Sequence, residues 1–382
     1  MEVGQASRLP LGRLAPASFT GETPAKAAGT AAPLLTGPGS YGSWSRRPHD
    51  KKESPFPADR CSHNSPMNYS ICHTRLPSSV GLSLVLLAGC ATAVSAQPPS
   101  IERVGDMVIA RAGASQPLFV YHLKPPADTA LPVESGGFFH PLTTPRGLVV
   151  TDFAPTDHKH HRGVFLAWVE MHGAKDADFW GWGERAPVKD RRIINQNLSL
   201  RARGLGFRAD NQWRAEDAVL LTERLDALAA PAADANALDL VYTLTPKSDL
   251  TLTRWAFSGF CVRVRKDGEL ACHSTQGLVT LPNPNHLQPE SDWPDAPWYA
   301  FSVKIADGWP IGVAVFNHSA NPPTLWHNHR DVRMLNPCIV APEEVKLKAG
   351  QSLTLRYRVV TFDGPVPTAR LNRMADEWRA TR

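Results

Sequence analysis

Leu238-Asp-Leu-Val-Tyr-Thr-Leu244 and Leu353-Thr-Leu-Arg-Tyr-Arg-Val359 place an apolar or aromatic residue at every second position. A period of two marks a strand with one buried and one wet face. The same signal recurs outward from these two runs. Met107-Val-Ile-Ala110, Leu118-Phe-Val-Tyr121, Gly147-Leu-Val-Val150, Val164-Phe-Leu-Ala-Trp168, Phe260-Cys-Val-Arg-Val264, Phe301-Ser-Val-Lys-Ile305 and Ile311-Gly-Val-Ala-Val-Phe316 are short and rich in β-branched or aromatic residues. Gly, Pro, Asp and Asn bound them, as strands require. Residues 345–355 read as a hairpin turning near Gly350. Cys261 and Cys272 flank the turn Lys266-Asp-Gly-Glu269, which reads as a second hairpin. Across such a hairpin the two thiols stand within disulfide reach; buried free thiols are the other reading. One helix is legible. After Pro367-Thr368, the residues Leu371, Met374, Ala375 and Trp378 recur at helical spacing on one stripe. The expected fold is all-β, one large β-sandwich capped by one C-terminal helix.

Composition divides the chain. Residues 1–66 are rich in Pro, Gly, Ser, Ala and Arg and hold no periodic apolar run, which reads as disorder or an over-extended start. Residues 67–96 read as a signal peptide, with Arg75 before the apolar run 80–88. That run falls well short of the roughly 20 apolar residues that span a bilayer. Val94-Ser-Ala96 fits ordinary cleavage, and Leu87-Ala-Gly-Cys90 fits a lipobox that would leave a lipid anchor on Cys90. Either way residues 97–382 are expected as a single exported domain, periplasmic or extracellular, or as an outer-membrane lipoprotein. The whole chain has 41 Lys+Arg against 36 Asp+Glu. Removing residues 1–96, with 9 and 5 of these, leaves 32 against 31. A nearly neutral domain gives no compositional support for binding nucleic acid.

Chemistry concentrates in three groups. The densest is Asp157-His-Lys-His-His-Arg-Gly163. If it is extended, His158, His160 and Arg162 point one way, and Asp157 and His161 the other. The second group comprises His318 and Trp326-His-Asn-His329, followed by Arg330 and Asp331. His-x-His pairs on two strands could ligate copper or zinc through His160, His327 and His329. Hydrogen bonding in a polar cleft without a cofactor is the favoured reading. The third group is aromatic: Asp178-Phe-Trp-Gly-Trp182, and Trp293, Trp298, Tyr299 and Trp326. Aromatic faces pack on sugar rings, so Trp180 and Trp326 read as ring platforms. For acid–base work the candidates are His160 or His161, with Asp157 or Glu184. No G-x-S-x-G, phosphate loop or dinucleotide fingerprint is present. The segment 282–297, with five prolines, reads as a long ordered loop.

At these residues the sequence resembles the PmoA-like family, often labelled methane oxygenase PmoA. The motifs that carry the resemblance run in order from about residue 115 to 365. They are Pro141-Leu142 with Thr144-Pro-x-Gly147, the histidine motif 157–163, Asp178-Phe-Trp-Gly181, His318 with Asn321-Pro322, Trp326-His327 with Arg330-Asp331, and Asn336-Pro337. Lys159 stands where that family often has Pro, and Ser274-Thr-Gln-Gly277 replaces a Glu-Gly-like element. The resemblance implies a sandwich similar to the galactose-mutarotase supersandwich, with a His-lined carbohydrate cleft. The label itself belongs to a helical membrane protein, which these amphipathic strands do not resemble.

The expectation is therefore an exported protein that binds or processes a small carbohydrate. His158, Arg162, Trp180, His318, Trp326, His327 and Arg330 would contact the ligand. A histidine-ligated copper oxygenase and a non-catalytic envelope protein are the alternatives.

Overall fold

A computed structural model of the chain describes residues 97–382, apart from Ala114, Ser115, Asp307 and Arg382. The expectations on residues 1–96, Cys90 included, lie outside them. Two large sheets dominate the described residues. The first has seven strands in the order Ser100–Val104, Met107–Arg111, Pro117–His122, Phe138–Leu142, Val164–Ala167, Gly259–Arg263 and Met334–Leu335. The second has ten, in the order Gly277–Val279, Glu269–Ser274, Trp298–Lys304, Pro310–Asn317, Leu353–Asp363, Ala235–Pro246, Ala218–Pro231, Leu205–Ala215, Arg191–Leu200 and Glu134–Ser135. Neighbours pair antiparallel except at the last edge, where Glu134–Ser135 runs parallel to Arg191–Leu200.

The sheets face each other across one apolar layer. Phe260 of the first stacks on Tyr357 of the second, with ring centroids 4.2 Å apart. Tyr121 meets Phe207 at 4.7 Å with the rings tilted by 40°. This is a sandwich core, fed by the inward residues of alternating strands. The outward face of the second sheet carries its own apolar patch of Trp298, Phe316, Val360 and Phe362. The helix Thr368–Arg379 covers that patch with Leu371, Ala375 and Trp378, while Met374 packs at its margin. The expected all-β sandwich with one C-terminal helix is therefore the fold. No helix among the described residues is long and apolar enough to cross a membrane.

Both expected hairpins part instead. Gly259–Arg263 ends in the first sheet and Glu269–Ser274 starts in the second, so the turn at 264–268 carries the chain between layers. Cys261 and Cys272 stand in different sheets as buried free thiols. Val345–Leu347 pairs with Leu250–Leu252, and Leu353–Asp363 pairs with Ala235–Pro246 and Pro310–Asn317. Gly350 makes the expected turn, but the strands it joins diverge. Residues 147–150 contribute only an isolated bridge between Thr143 and Val149. Three long strands, 191–200, 205–215 and 218–231, were not read from the sequence. Their inward faces carry buried Asn211 and Glu223, bonded to each other at 2.8 Å, and these polar residues interrupt the apolar alternation.

Leu371 is fully buried under the helix. Leu371→Ala should lower stability by about 2–5 kcal/mol in urea denaturation, through lost transfer energy and the cavity left behind. A change below about 1 kcal/mol would mean that the helix does not hold the outer apolar patch.

Candidate functional site

The histidine motif is bent, not extended. His158 N–H donates to the Pro155 carbonyl at 3.0 Å, and His161 N–H donates to the His158 carbonyl at 2.9 Å. Two consecutive turns abolish the alternation expected of a strand. His158, His160 and His161 all line one cleft, and Arg162 turns away into the core. There Arg162 Nη2 donates to the Phe179 carbonyl at 3.2 Å, with its guanidinium 4.7 Å from the Phe165 ring centroid. Gly163 closes the bend at φ +63°, where an added Cβ would lie 2.2 Å from the Phe139 carbonyl oxygen. Only glycine fits that approach.

The aromatic motif forms the next wall. The Asp178 carboxylate accepts from Gly181 N–H at 2.7 Å and Gly183 N–H at 2.6 Å. Burial still pushes its carboxyl up to about 6 against those bonds. This cap curls the loop so that Trp180 and Trp182 both line the cleft. Gly181, at φ +99°, sits so close that a Cβ would lie 2.8 Å from His160 Cβ.

The Pro-rich segment and the later histidine pair complete the site. Trp293 and Trp326 bridge their backbones, which brings His286 opposite His327 and His329. Phe257, Val332 and Met334 fill the remaining wall. Six histidines thus share a cleft of about 450 Å³, its open mouth included.

Buried partners fix the imidazole protons. Arg263, with no exposed side-chain surface, donates to His161 Nδ1 at 3.1 Å and to both Asp157 oxygens at 3.2 Å. A guanidinium can only donate, so His161 Nδ1 accepts and its proton sits on Nε2. Val332 N–H donates to His329 Nδ1 at 3.3 Å and fixes the same tautomer. His158 is the reverse. Burial opposes charge on Asp157, yet bonds from Lys266, His158 and Arg263 hold its carboxyl well below the usual range. As a carboxylate it accepts from His158 Nδ1 at 3.0 Å. His327 Nδ1 lies 2.6 Å from Asp292 Oδ1. Burial pushes Asp292 up to about 9 and His327 down to about 3. Each shift resists separate charges, so the pair shares one proton. Burial also lowers His160 to about 3, His329 to about 4, and His161 well below its ordinary value. Burial therefore keeps His160, His161, His327 and His329 uncharged at neutral pH. His160 Nε2, Trp180 Nε1 and Trp182 Nε1 are buried without a hydrogen-bond partner. Among the described residues, no group of three or more His, Cys, Asp or Glu is arranged to hold a metal ion.

The structure therefore gathers His158, His160, His161, Trp180, His327 and His329, with Asp157 directly behind His158. It places others elsewhere. His318 donates from Nε2 to the Thr381 carbonyl at 3.2 Å and lies edge-on to Trp378 of the helix. Trp326 is core, 5.1 Å from the Tyr299 ring. Glu184 is exposed outside the lining. Arg330 lines a neighbouring groove. Sequence reading missed Trp182, Phe257, His286, Arg263 and Asp292. Trp182 lay within a quoted motif, and the long loop was the only signal for His286 and Asp292. Arg263 looked like one more outward residue of an amphipathic strand.

Residues 109–376 match DUF6807, a family of unknown function. The chain belongs to that family. This corrects the resemblance to the PmoA-like family: the family model that spans the domain is DUF6807, and the quoted motifs fall within its match. No curated protein matches the sequence. Among solved structures, the GH36 α-galactosidase AgaA of Geobacillus stearothermophilus, in complex with raffinose, is 10% identical with a TM-score of 0.36, covering 71% of this chain and 41% of that one. The α-galactosidase of Lactobacillus brevis is 7% identical with a TM-score of 0.31, covering 72% and 40%. The DUF6807 chain spans about two fifths of the length of these structures.

The lowered histidines set a pH dependence. His160 titrates near 6.5 when unfolded and about 3 when folded. Between those values the unfolded chain binds more protons, so stability is lost as pH falls from 7 toward 4.5. His160→Gln should remove about 2 kcal/mol of that acid loss in urea titrations at pH 7 and 4.5. An unchanged pH dependence would mean that His160 is not held neutral.

Proposed function

We propose that the cleft of this DUF6807 domain binds a small carbohydrate. The observation that carries the reading is the trio of buried, unpartnered atoms, His160 Nε2, Trp180 Nε1 and Trp182 Nε1, on side chains that line one cleft. Buried polar atoms are rarely left orphaned, and a ligand's hydroxyls would satisfy them. The ring faces of Trp182 and Phe257, 5.2 Å apart between centroids, offer an apolar corner for a sugar's C–H face. Neutral imidazoles suit hydroxyls, which both donate and accept. His161 and His329 supply donors from Nε2. The shared proton of His327 and Asp292 adds the capacity to take or return a proton. The signal-like segment 67–96 supports a location outside the cytoplasm, with Cys90 as the anchor if the lipobox is used.

Copper or zinc ligation is the rival reading of the same histidines. Both are tested on the full chain, without a polyhistidine tag, by elemental mass spectrometry and calorimetric titration against neutral mono- and disaccharides. A sugar should bind, and at 100 times its Kd it should stabilise the fold by about 2.7 kcal/mol. His327→Gln and Trp182→Ala should each weaken it at least tenfold. One tightly held metal ion per chain, with no sugar bound, would overturn the carbohydrate reading.

A further inference from the structure

A second groove opens beside the cleft, lined by Lys266, Leu270, Arg330, Asp331 and Arg333. Three cations meet one carboxylate there. Asp331 is already engaged, accepting from Asn283 Nδ2 at 2.9 Å. The cations are not fully used. Arg330 has no carboxylate partner among the described residues, and its Nε reaches only Asn283 Oδ1 at 3.5 Å. Arg333 Nη2 donates to the Gly268 carbonyl at 2.8 Å, but its Nη1 is buried without a partner. Burial lowers the Arg333 pKa even though Asp267 and Asp331 stand near enough to oppose that shift. Its backbone sits at φ +59°, in the left-handed region. Such strain at a non-glycine residue persists where the surroundings enforce it, and it clusters at ligand clamps.

Two features join the groove to the cleft. Asp157 Oδ2 accepts from Lys266 Nζ at 2.8 Å on the groove side and from His158 Nδ1 at 3.0 Å on the cleft side. One turn also serves both. His329 and Met334 bridge its ends, and Arg333 N–H donates to the Arg330 carbonyl at 3.1 Å across it. From this turn Val332 lines the cleft, while Arg330, Asp331 and Arg333 line the groove.

We infer that the ligand is an acidic sugar, whose ring occupies the histidine cleft and whose carboxylate seats on Arg330 and Arg333. Planar carboxylates match the fork of a guanidinium in two parallel bonds. This inference rests on the carbohydrate reading and adds a charge to the ligand. It also assigns Arg330, expected from the sequence to contact ligand, a place outside the cleft proper.

The test is calorimetric titration of the full chain with matched pairs, glucose against glucuronate and galactose against galacturonate, with glucose 6-phosphate and glucose 6-sulfate as further arms. At least one uronate should bind tenfold or more tighter than its neutral partner, and the margin should shrink as salt rises from 0.05 to 0.5 M, as about-10 Å screening at 0.1 M requires. Arg330→Gln and Arg333→Gln should each erase most of the margin while neutral-sugar affinity stays within about twofold. That retained affinity also reports an intact fold. Equal binding of both partners, or a margin that survives both substitutions, overturns this inference and leaves the carbohydrate reading standing. Tighter binding of the phosphate or sulfate arm overturns the carboxylate assignment. No binding of any sugar overturns both.

Discussion

The guanidinium of Arg263 is the pin on which the site turns. It projects from the strand Gly259–Arg263 of the first sheet and has no exposed side-chain surface. A buried cation must be paired, because desolvation alone would cost several kcal/mol. Asp157 supplies the charge through two 3.2 Å bonds, with Asp152 3.9 Å from Nε. That requirement draws the loop at 155–163 down onto the sheet. Once Asp157 is anchored, the two turns have little freedom. Gly163 lets the chain pass the Phe139 carbonyl, and His161 arrives against the remaining face of the same guanidinium. The cleft's first wall follows from charge neutralisation inside the fold.

The second wall uses the same logic with a different partner. Asp292, from the Pro-rich segment, backs His327 as Asp157 backs His158. The Asp157 carboxylate accepts from His158 Nδ1 and Asp292 shares a proton with His327 Nδ1, while Arg263 and the Val332 amide fix the Nε2 protons of His161 and His329. The histidines of one cleft are thus divided into givers and takers by groups that never reach its surface. Ordinary solvent-facing histidines cannot hold such an arrangement, since their tautomers exchange freely and they titrate near neutrality.

Much of this was legible in the residues. The period-two runs at 238–244 and 353–359 became the adjacent central strands of the second sheet. The stripe of Leu371, Ala375 and Trp378 became the buried face of the helix. Histidine density marked the cleft, and the two groups did meet. What failed has a common cause: local pattern does not encode which layer a strand joins. The turns at Lys266-Asp-Gly-Glu269 and Gly350 are real, yet the chain changes partners through them, and the Cys261–Cys272 facing disappears. His318 and Trp326 carried ligand-like neighbours in sequence, but the helix end and the Tyr299 ring claimed them. Arg263 gave no sign, and Asp292 none beyond its place in the long loop, because a buried partner is defined only by what arrives opposite it.

The walls of the cleft come from residues 157–161, 180–182, 257, 286–292 and 327–334. No continuous piece of chain contains even half of it. Each wall is fastened to a different part of the framework, and the turn at 264–268 ties the two layers together at Lys266, whose amine holds Asp157. Bringing segments so distant in sequence together requires loop closures that only the finished sandwich rewards. The cleft therefore exists only where all of these segments have come together, so occupancy of this cleft is in itself a report that the whole domain is intact.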